Sequence, residues 1–174
     1  MHAVDRMRSL IRDIPDYPKP GIIFKDITPL LADASAFAAC TARLAEPFRN
    51  EGITHVVAIE SRGFILGAPV AQHLGAGFIP VRKPGKLPSA TRREEYELEY
   101  GTDALEVHAD AADDKARVLI VDDVLATGGT ASATCKLVES LGATVVGCSF
   151  LIALSFLPGL ERLKAKRVET LVTY

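Results

Sequence analysis

The chain has 174 residues, 48% apolar and 24% charged, enough to bury one core in a single globular domain spanning 1–174. Its formal net charge of −2 gives no electrostatic footprint for nucleic acid or an anionic membrane, so any phosphate must be met locally by a loop and a few placed cations. The N-terminal residues lack a signal-peptide apolar region and no run approaches the ~18 apolar residues of a membrane span, so a cytoplasmic protein is expected.

The first distinctive segment is DIPDYPKPGIIFKDITPLL (13–31), with four prolines. It reads as too proline-rich for a regular element and as an ordered cover over the rest of the domain. HVVAIE (55–60) is a short β-branched run and predicts a buried strand. It turns at Ser61-Arg62-Gly63 into a helix stopped near Gly75 and Gly77. FIPVR (78–82) predicts the next strand. KPGKLPSATRREEYELEYG (83–101) is long, polar and charged, a functional or mobile loop or else a solvated hairpin. VLIVDD (118–123) predicts another buried strand, followed by a Gly-rich turn and a helix from about Thr130 to Leu141, with Gly142 as its stop. TVVGCSFLIAL (144–154) and VETLVTY (168–174) supply the last strands. Strands alternating with helical stretches predict an α/β fold, a mostly parallel central sheet flanked by helices. Cys40, Cys135 and Cys148 are odd in number and spread along the sequence, with neither metal-site nor disulfide spacing, as suits a reducing compartment. The four histidines form no helical pair, so no protein-held transition metal is expected.

VLIVDDVLATGGT (118–130) carries the chemistry. A buried strand delivers Asp122 and Asp123, and Ala126-Thr127-Gly128-Gly129-Thr130 leads directly into a helix. Ligands of open parallel sheets bind at the C-terminal ends of the strands. A Gly-rich turn at a helix N-terminus offers unpaired N–H groups and partial positive charge to a phosphate, and Thr127 and Thr130 add hydroxyls. Carboxylates beside a phosphate would repel it unless they point elsewhere, and the vicinal hydroxyls of a ribose suit two acceptors. Cradle and diol clamp together match a ribose 5-phosphate. Neither a Walker lysine nor a GxGxxG fingerprint is present.

The same string resembles the motif by which type I phosphoribosyltransferases bind 5-phosphoribosyl-1-pyrophosphate (PRPP). PDYPKPGIIFKDITPLL (15–31), ESRGFILGAPVA (60–71), RKPGKLP (82–88) and YELEYG (96–101) resemble the adenine-specific branch of that family. The likeness runs in order from about Ile14 to Leu154. It implies a type I phosphoribosyltransferase-like fold with an N-terminal cover segment and a flexible catalytic loop. By that resemblance, residues Ala126, Thr127, Gly128, Gly129 and Thr130 hold the 5′-phosphate, while Asp122 and Asp123 hold the ribose hydroxyls. Arg62 meets the pyrophosphate on a turn that often carries a cis peptide, here Glu60–Ser61, and Arg82, Lys83 and Lys86 add cations, in part across a homodimer interface. Ile23, Phe24 and Lys25 form the adenine pocket, with Lys25 standing where the family commonly has arginine. Lysine lacks the planar fork, which weakens a bidentate or stacked role and leaves backbone readout of the base intact. Glu99 is the implied proton-transfer residue, with Tyr100 beside it or reaching the PRPP. Mg²⁺ is expected to arrive on the substrate's oxygens, with no protein ligands of its own.

The implied activity joins adenine to PRPP, giving AMP and pyrophosphate in purine salvage. Two alternatives stand beside it: transfer to another nucleobase, and a non-catalytic PRPP-sensing regulator. In 6-oxopurine members an aspartate that reaches N7 usually stands where this chain has Ala126, which argues against hypoxanthine and guanine. Uracil members typically have proline after the first acid, where this chain has Asp123. A regulator needs a DNA-binding module or a basic surface, for which this length and charge leave no room.

Overall fold

The computed structural model describes residues 3–98 and 101–174. Helix α1 (Ala3–Ser9) leads into two short antiparallel strands, β1 (Arg12–Pro15) and β2 (Ile23–Asp26), paired from Arg12↔Asp26 to Pro15↔Ile23. The proline-rich stretch thus does hold regular structure, contrary to the sequence expectation. Its prolines fall where no ladder hydrogen bond is needed: Pro15 ends β1, Pro18 follows a cis bond in the loop, and Pro29 lies in the first turn of α2 (Thr28–Ala32). Gly21, at φ 86°, turns the loop back, and its N–H donates to Asp16 Oδ1 at 2.7 Å. Helix α3 (Ala34–Ala45) is capped by Asp33, whose carboxylate accepts the Ala36 N–H at 2.8 Å, and it buries Cys40 and Leu44.

Five parallel strands form the central sheet. β3 (His55–Ile59) is followed by α4 (Arg62–Leu74) and β4 (Gly77–Val81), with Gly75 in the left-handed conformation ending the helix. The expected long loop is in large part a hairpin, β5 (Thr91–Glu97) against β6 (Thr102–His108), in register from Thr91↔His108 to Glu97↔Thr102. Next come β7 (Arg117–Leu125), α5 (Gly129–Ser140), β8 (Thr144–Ala153), the short α6 (Gly159–Arg162) and β9 (Val168–Thr173). The spatial order is β4-β3-β7-β8-β9.

Alternation along these strands sends successive side chains into two cores. Val56, Leu119, Val121 and Leu151 join Leu30, Leu44, Phe48 and Leu66 on one face. Val57, Val118, Ile120 and Phe150 join Leu105, Leu137 and Val138 under α5 and the hairpin on the other. All three cysteines are free and buried, but Cys135 and Cys148, apart in sequence, face each other from α5 and β8 with sulfurs 3.9 Å apart.

The order of strands creates the site. From β3 the chain adds β4 on one side, then returns to add β7, β8 and β9 on the other. The strand ends of β3 and β7 therefore flank the reversal point, where such sheets bind ligands. β7 extends beyond the expected end at residue 123, pairing with β8 as far as Leu125↔Ala153, whereas its pairing with β3 stops at Ala58↔Val121. Asp122 and Asp123 sit in the overhang.

Candidate active site

A cavity of about 580 Å³ opens over this overhang, lined among others by Phe24, Arg62, Lys83, Tyr96, Asp122 and Asp123. Four chain segments distant in sequence meet there: the β2 strand, the β3–α4 turn, the hairpin and the end of β7. Ile23, Lys25, Ala126 and Thr130 line it as well.

The carboxylate pair is asymmetric. Asp122 Oδ1 accepts the Asp123 N–H at 3.0 Å, while Asp123 Oδ2 accepts from Arg62 Nε. Burial, and after it the charge of Asp123, push Asp122 well above the usual carboxylate value of 3.8. A Cβ on Gly63 would stand 2.8 Å from Asp122 Oδ1, so only glycine lets α4 start against this carboxylate.

Arg62 holds the site together. Besides Asp123, its guanidinium lies 5.2 Å from the Phe24 ring centroid, a cation–π distance, and Tyr17 meets that ring edge-on at 5.2 Å. The turn carrying Arg62 has the implied cis peptide, Glu60–Ser61.

The cations expected for pyrophosphate are spread apart. Lys83 reaches the cavity, but its ammonium pairs with Asp103 and donates to the Tyr96 hydroxyl at 3.0 Å. Arg82 turns toward Glu60 at 3.4 Å and the Phe64 ring at 6.0 Å. Lys86 is exposed and outside the cavity lining. Lys25 lines the cavity while its ammonium donates to Asp13 Oδ1 at 2.6 Å and lies 3.7 Å from the centroid of the Tyr174 ring. Its charge is engaged across the β1–β2 hairpin. Glu99 and Tyr100 lie outside the described residues.

The Gly-rich turn is shaped by Gly128. Gly128 caps α5 at φ 78°, ψ 2°, a left-handed geometry that favours glycine. Asp122 and residues 124–131 enclose a small recess of about 80 Å³ at the helix N-terminus. Sequence reasoning missed three contributors. Tyr96 and Asp103 lie on a polar hairpin, and Arg162 comes from α6, 32 positions beyond Thr130 with no motif of its own. A Cβ on Gly129 would stand 3.2 Å from Arg162 Nη1 and 3.4 Å from Tyr96 Cδ2.

Comparisons with known proteins agree with this geometry. The family model for the phosphoribosyl transferase domain matches residues 27–173. The adenine phosphoribosyltransferase of Desulfitobacterium hafniense (strain Y51) is 57% identical over 174 residues, covering 100% of both chains. That of Myxococcus xanthus (strain DK1622) is 55% identical over 97% of this chain and 91% of its own. The crystal structure of adenine phosphoribosyltransferase from Thermoanaerobacter pseudethanolicus superposes with a TM-score of 0.96 at 51% identity, covering 98% of this chain and 99% of the other. The Saccharomyces cerevisiae enzyme, complexed with an imino-altritol bisphosphate and adenine, gives 0.91 at 38% identity over 97% and 98%. Strand order, the paired carboxylates at the reversal point and these full-length likenesses agree: the chain belongs to the phosphoribosyl transferase family.

Proposed function

We propose that this enzyme transfers the 5-phosphoribosyl group of PRPP to adenine, releasing AMP and pyrophosphate in purine salvage. The observation that carries the reading is the adjacency of a Gly-rich recess and a cavity lined by the carboxylate pair and Phe24, the two sharing Asp122, Ala126 and Thr130, an arrangement that suits phosphate, ribose and base in turn. Residues 126–130 take the 5′-phosphate, Asp122 and Asp123 the ribose hydroxyls, and Phe24 the purine, with the backbone at Ile23 and Lys25 reading its edge. Relatives named adenine phosphoribosyltransferase support adenine as the base, as does Ala126, which lacks the carboxylate that 6-oxopurine members use at N7.

Arg62 satisfies Asp123 and lies over Phe24. PRPP brings both a diol for Asp123 and an anion for Arg62, so the ion pair exchanges partners when substrate enters. Lys83 makes a similar exchange from Asp103. Mg²⁺ belongs to the substrate, spreading the pyrophosphate charge as that group leaves C1. The ribose gains oxocarbenium character and N9 of adenine attacks the opposite face. Water must be kept from that carbon, which gives the hairpin above the cavity its purpose. Glu99, which lies outside the described residues, is assigned the imidazole proton of adenine by the resemblance of YELEYG.

A homodimer is part of this reading. Its support is the exposure of Ile65 and Phe78, with Phe78 edge-on to Phe64 at 5.9 Å and Arg82 6.0 Å from the same Phe64 ring. A cytoplasmic location rests on the three free thiols and the phosphorylated substrates.

The test offers purified protein PRPP, Mg²⁺ and each nucleobase in turn. Adenine should yield AMP and pyrophosphate, with kcat/KM at least about tenfold lower for hypoxanthine, guanine and uracil, a difference of about 1.4 kcal/mol. Efficient use of a 6-oxopurine contradicts the assignment.

A further inference from the structure

A phosphomonoester at neutral pH carries between one and two negative charges. The turn assigned to it supplies N–H groups, two threonine hydroxyls and the partial charge of a helix end, about half an elementary charge. From Asp122 to Cys135 the sequence holds no basic residue. The first one after that, Lys136, is 3.3 Å from Glu94 in an ion pair. The local sequence thus leaves the phosphate short of positive charge.

The fold brings one in from elsewhere. The α6 turn is pressed onto the cradle through a glycine-to-glycine approach. A Cβ on Gly128 would stand 3.0 Å from Gly159 Cα, and one on Gly159 would overlap the Ala126 carbonyl oxygen and stand 2.9 Å from Leu125 Cγ. Buried Leu163 anchors the far end of the turn, and the Arg162 N–H donates to the Pro158 carbonyl at 2.9 Å. This contact sets the Arg162 side chain beside Gly128 and Gly129. Its Cβ lies 3.3 Å from the Cβ position on Gly128, and its Nη1 lies 3.2 Å from that on Gly129. Arg162 also lines a cavity of about 660 Å³ together with Thr127, Gly129 and Thr130.

The cations that follow Arg162 in the sequence are committed to carboxylates: Lys164 to Glu161 at 2.5 Å, Lys166 to Glu139, and Arg167 to Glu51 at 2.9 Å and Glu169 at 3.0 Å. Among the described residues Arg162 takes part in no side-chain hydrogen bond or ion pair. An exposed arginine without a side-chain partner, held against a Gly-rich turn that has no cation of its own, is placed for a ligand.

We infer that Arg162 binds the 5′-phosphate of PRPP and AMP, closing the cradle with the one charge its own sequence lacks. The inference rests on the assignment of residues 126–130 to that phosphate. The role is substrate binding, felt equally in ground and transition states.

Isothermal titration with AMP and with adenosine, which lacks the phosphate, tests it. Arg162→Gln should weaken AMP binding about 10- to 100-fold, the range for losing a hydrogen bond to a charged group, and leave adenosine binding unchanged. In turnover the KM for PRPP should rise with kcat preserved, the pattern of lost uniform binding. Arg162→Lys should recover part of the affinity as a point charge. Lys164→Gln, which removes the same charge one turn-face away, should leave AMP binding as it was. If Arg162→Gln binds AMP as the parent does, or loses AMP and adenosine together, the role is overturned. If the parent protein itself fails to prefer AMP over adenosine, the cradle assignment falls and takes Arg162 with it.

Discussion

Asp122 shows how far the site departs from what folding alone favours. Its carboxyl is raised well above 3.8, first by burial and then by Asp123. A group whose folded value lies above its unfolded one contributes stability below the unfolded value. That contribution is lost as pH rises past about 3.8, toward the folded value. Above that range the burial of Asp122 beside Asp123 therefore opposes folding, a cost that the proposed role in ribose binding accounts for. Asp122→Asn keeps an acceptor for the Asp123 N–H and removes the charge. The thermal midpoint of the ligand-free variant at pH 7 should rise by a few degrees, corresponding to about 1 kcal/mol, while ribose 5-phosphate affinity falls about tenfold or more. Equal or lower stability would show that the pair is not under electrostatic stress. At this scale the sequence was most readable where chemistry is contiguous, as in 122–130. The pairing of the Lys25 and Arg82 side chains was not legible, because their partners, Asp13, Tyr174 and Glu60, come from other elements, and residue type alone does not say which way a long cationic side chain turns.

Among the elements, the β5–β6 hairpin was the hardest to read. Its first strand, TRREEYE, alternates poorly because both faces meet solvent or polar neighbours, with Glu94 facing Lys136 and Tyr96 turned toward Lys83 and Gly129. The central strands were legible because buried β-branched runs bounded by glycines have few other uses. The alanine-rich α3 carries weak contrast between its faces and went unnoticed. Function at the hairpin is tested by Glu99→Gln, which removes the proposed base and preserves shape. Single-turnover rates should fall about 10²–10⁴-fold with adenine and PRPP affinities kept. The control Glu95→Gln changes an exposed carboxylate that faces Arg93 at 3.1 Å and should leave the rate unaltered. Equal rates in the two variants would remove Glu99 from the chemistry. The N-terminal hairpin carries a separate acid-sensitive contact. Asp26 is lowered to about 2, first by the Thr28 N–H and then by Arg12. A lowered carboxylate stabilises the fold above its unfolded value, and that stabilisation disappears as pH drops from about 4 through 2. Thermal midpoints of Asp26→Asn across that window should fall less steeply than those of the parent, and parallel slopes would contradict the contact's contribution.

For the whole molecule, one topological fact organises the rest. The sheet reverses between β3 and β7, and β7 outruns β3. The overhang carries the two aspartates, the β3 end turns into Arg62, and α5 begins at the Gly-rich recess. The cover segment and the hairpin bring Phe24 and Tyr96 from outside the sheet. The alternation of strands and helices announced the sheet. The two additions were partly hidden, because one is built around prolines at permissive positions and the other around charged residues. A crystal soaked with AMP tests the central claim most directly. The phosphate should lie within hydrogen-bonding reach of the N–H groups of 127–130, the ribose hydroxyls on Asp122 and Asp123, and the purine against Phe24. A phosphate bound elsewhere in the cavity, with the 127–130 turn empty, would contradict the claim.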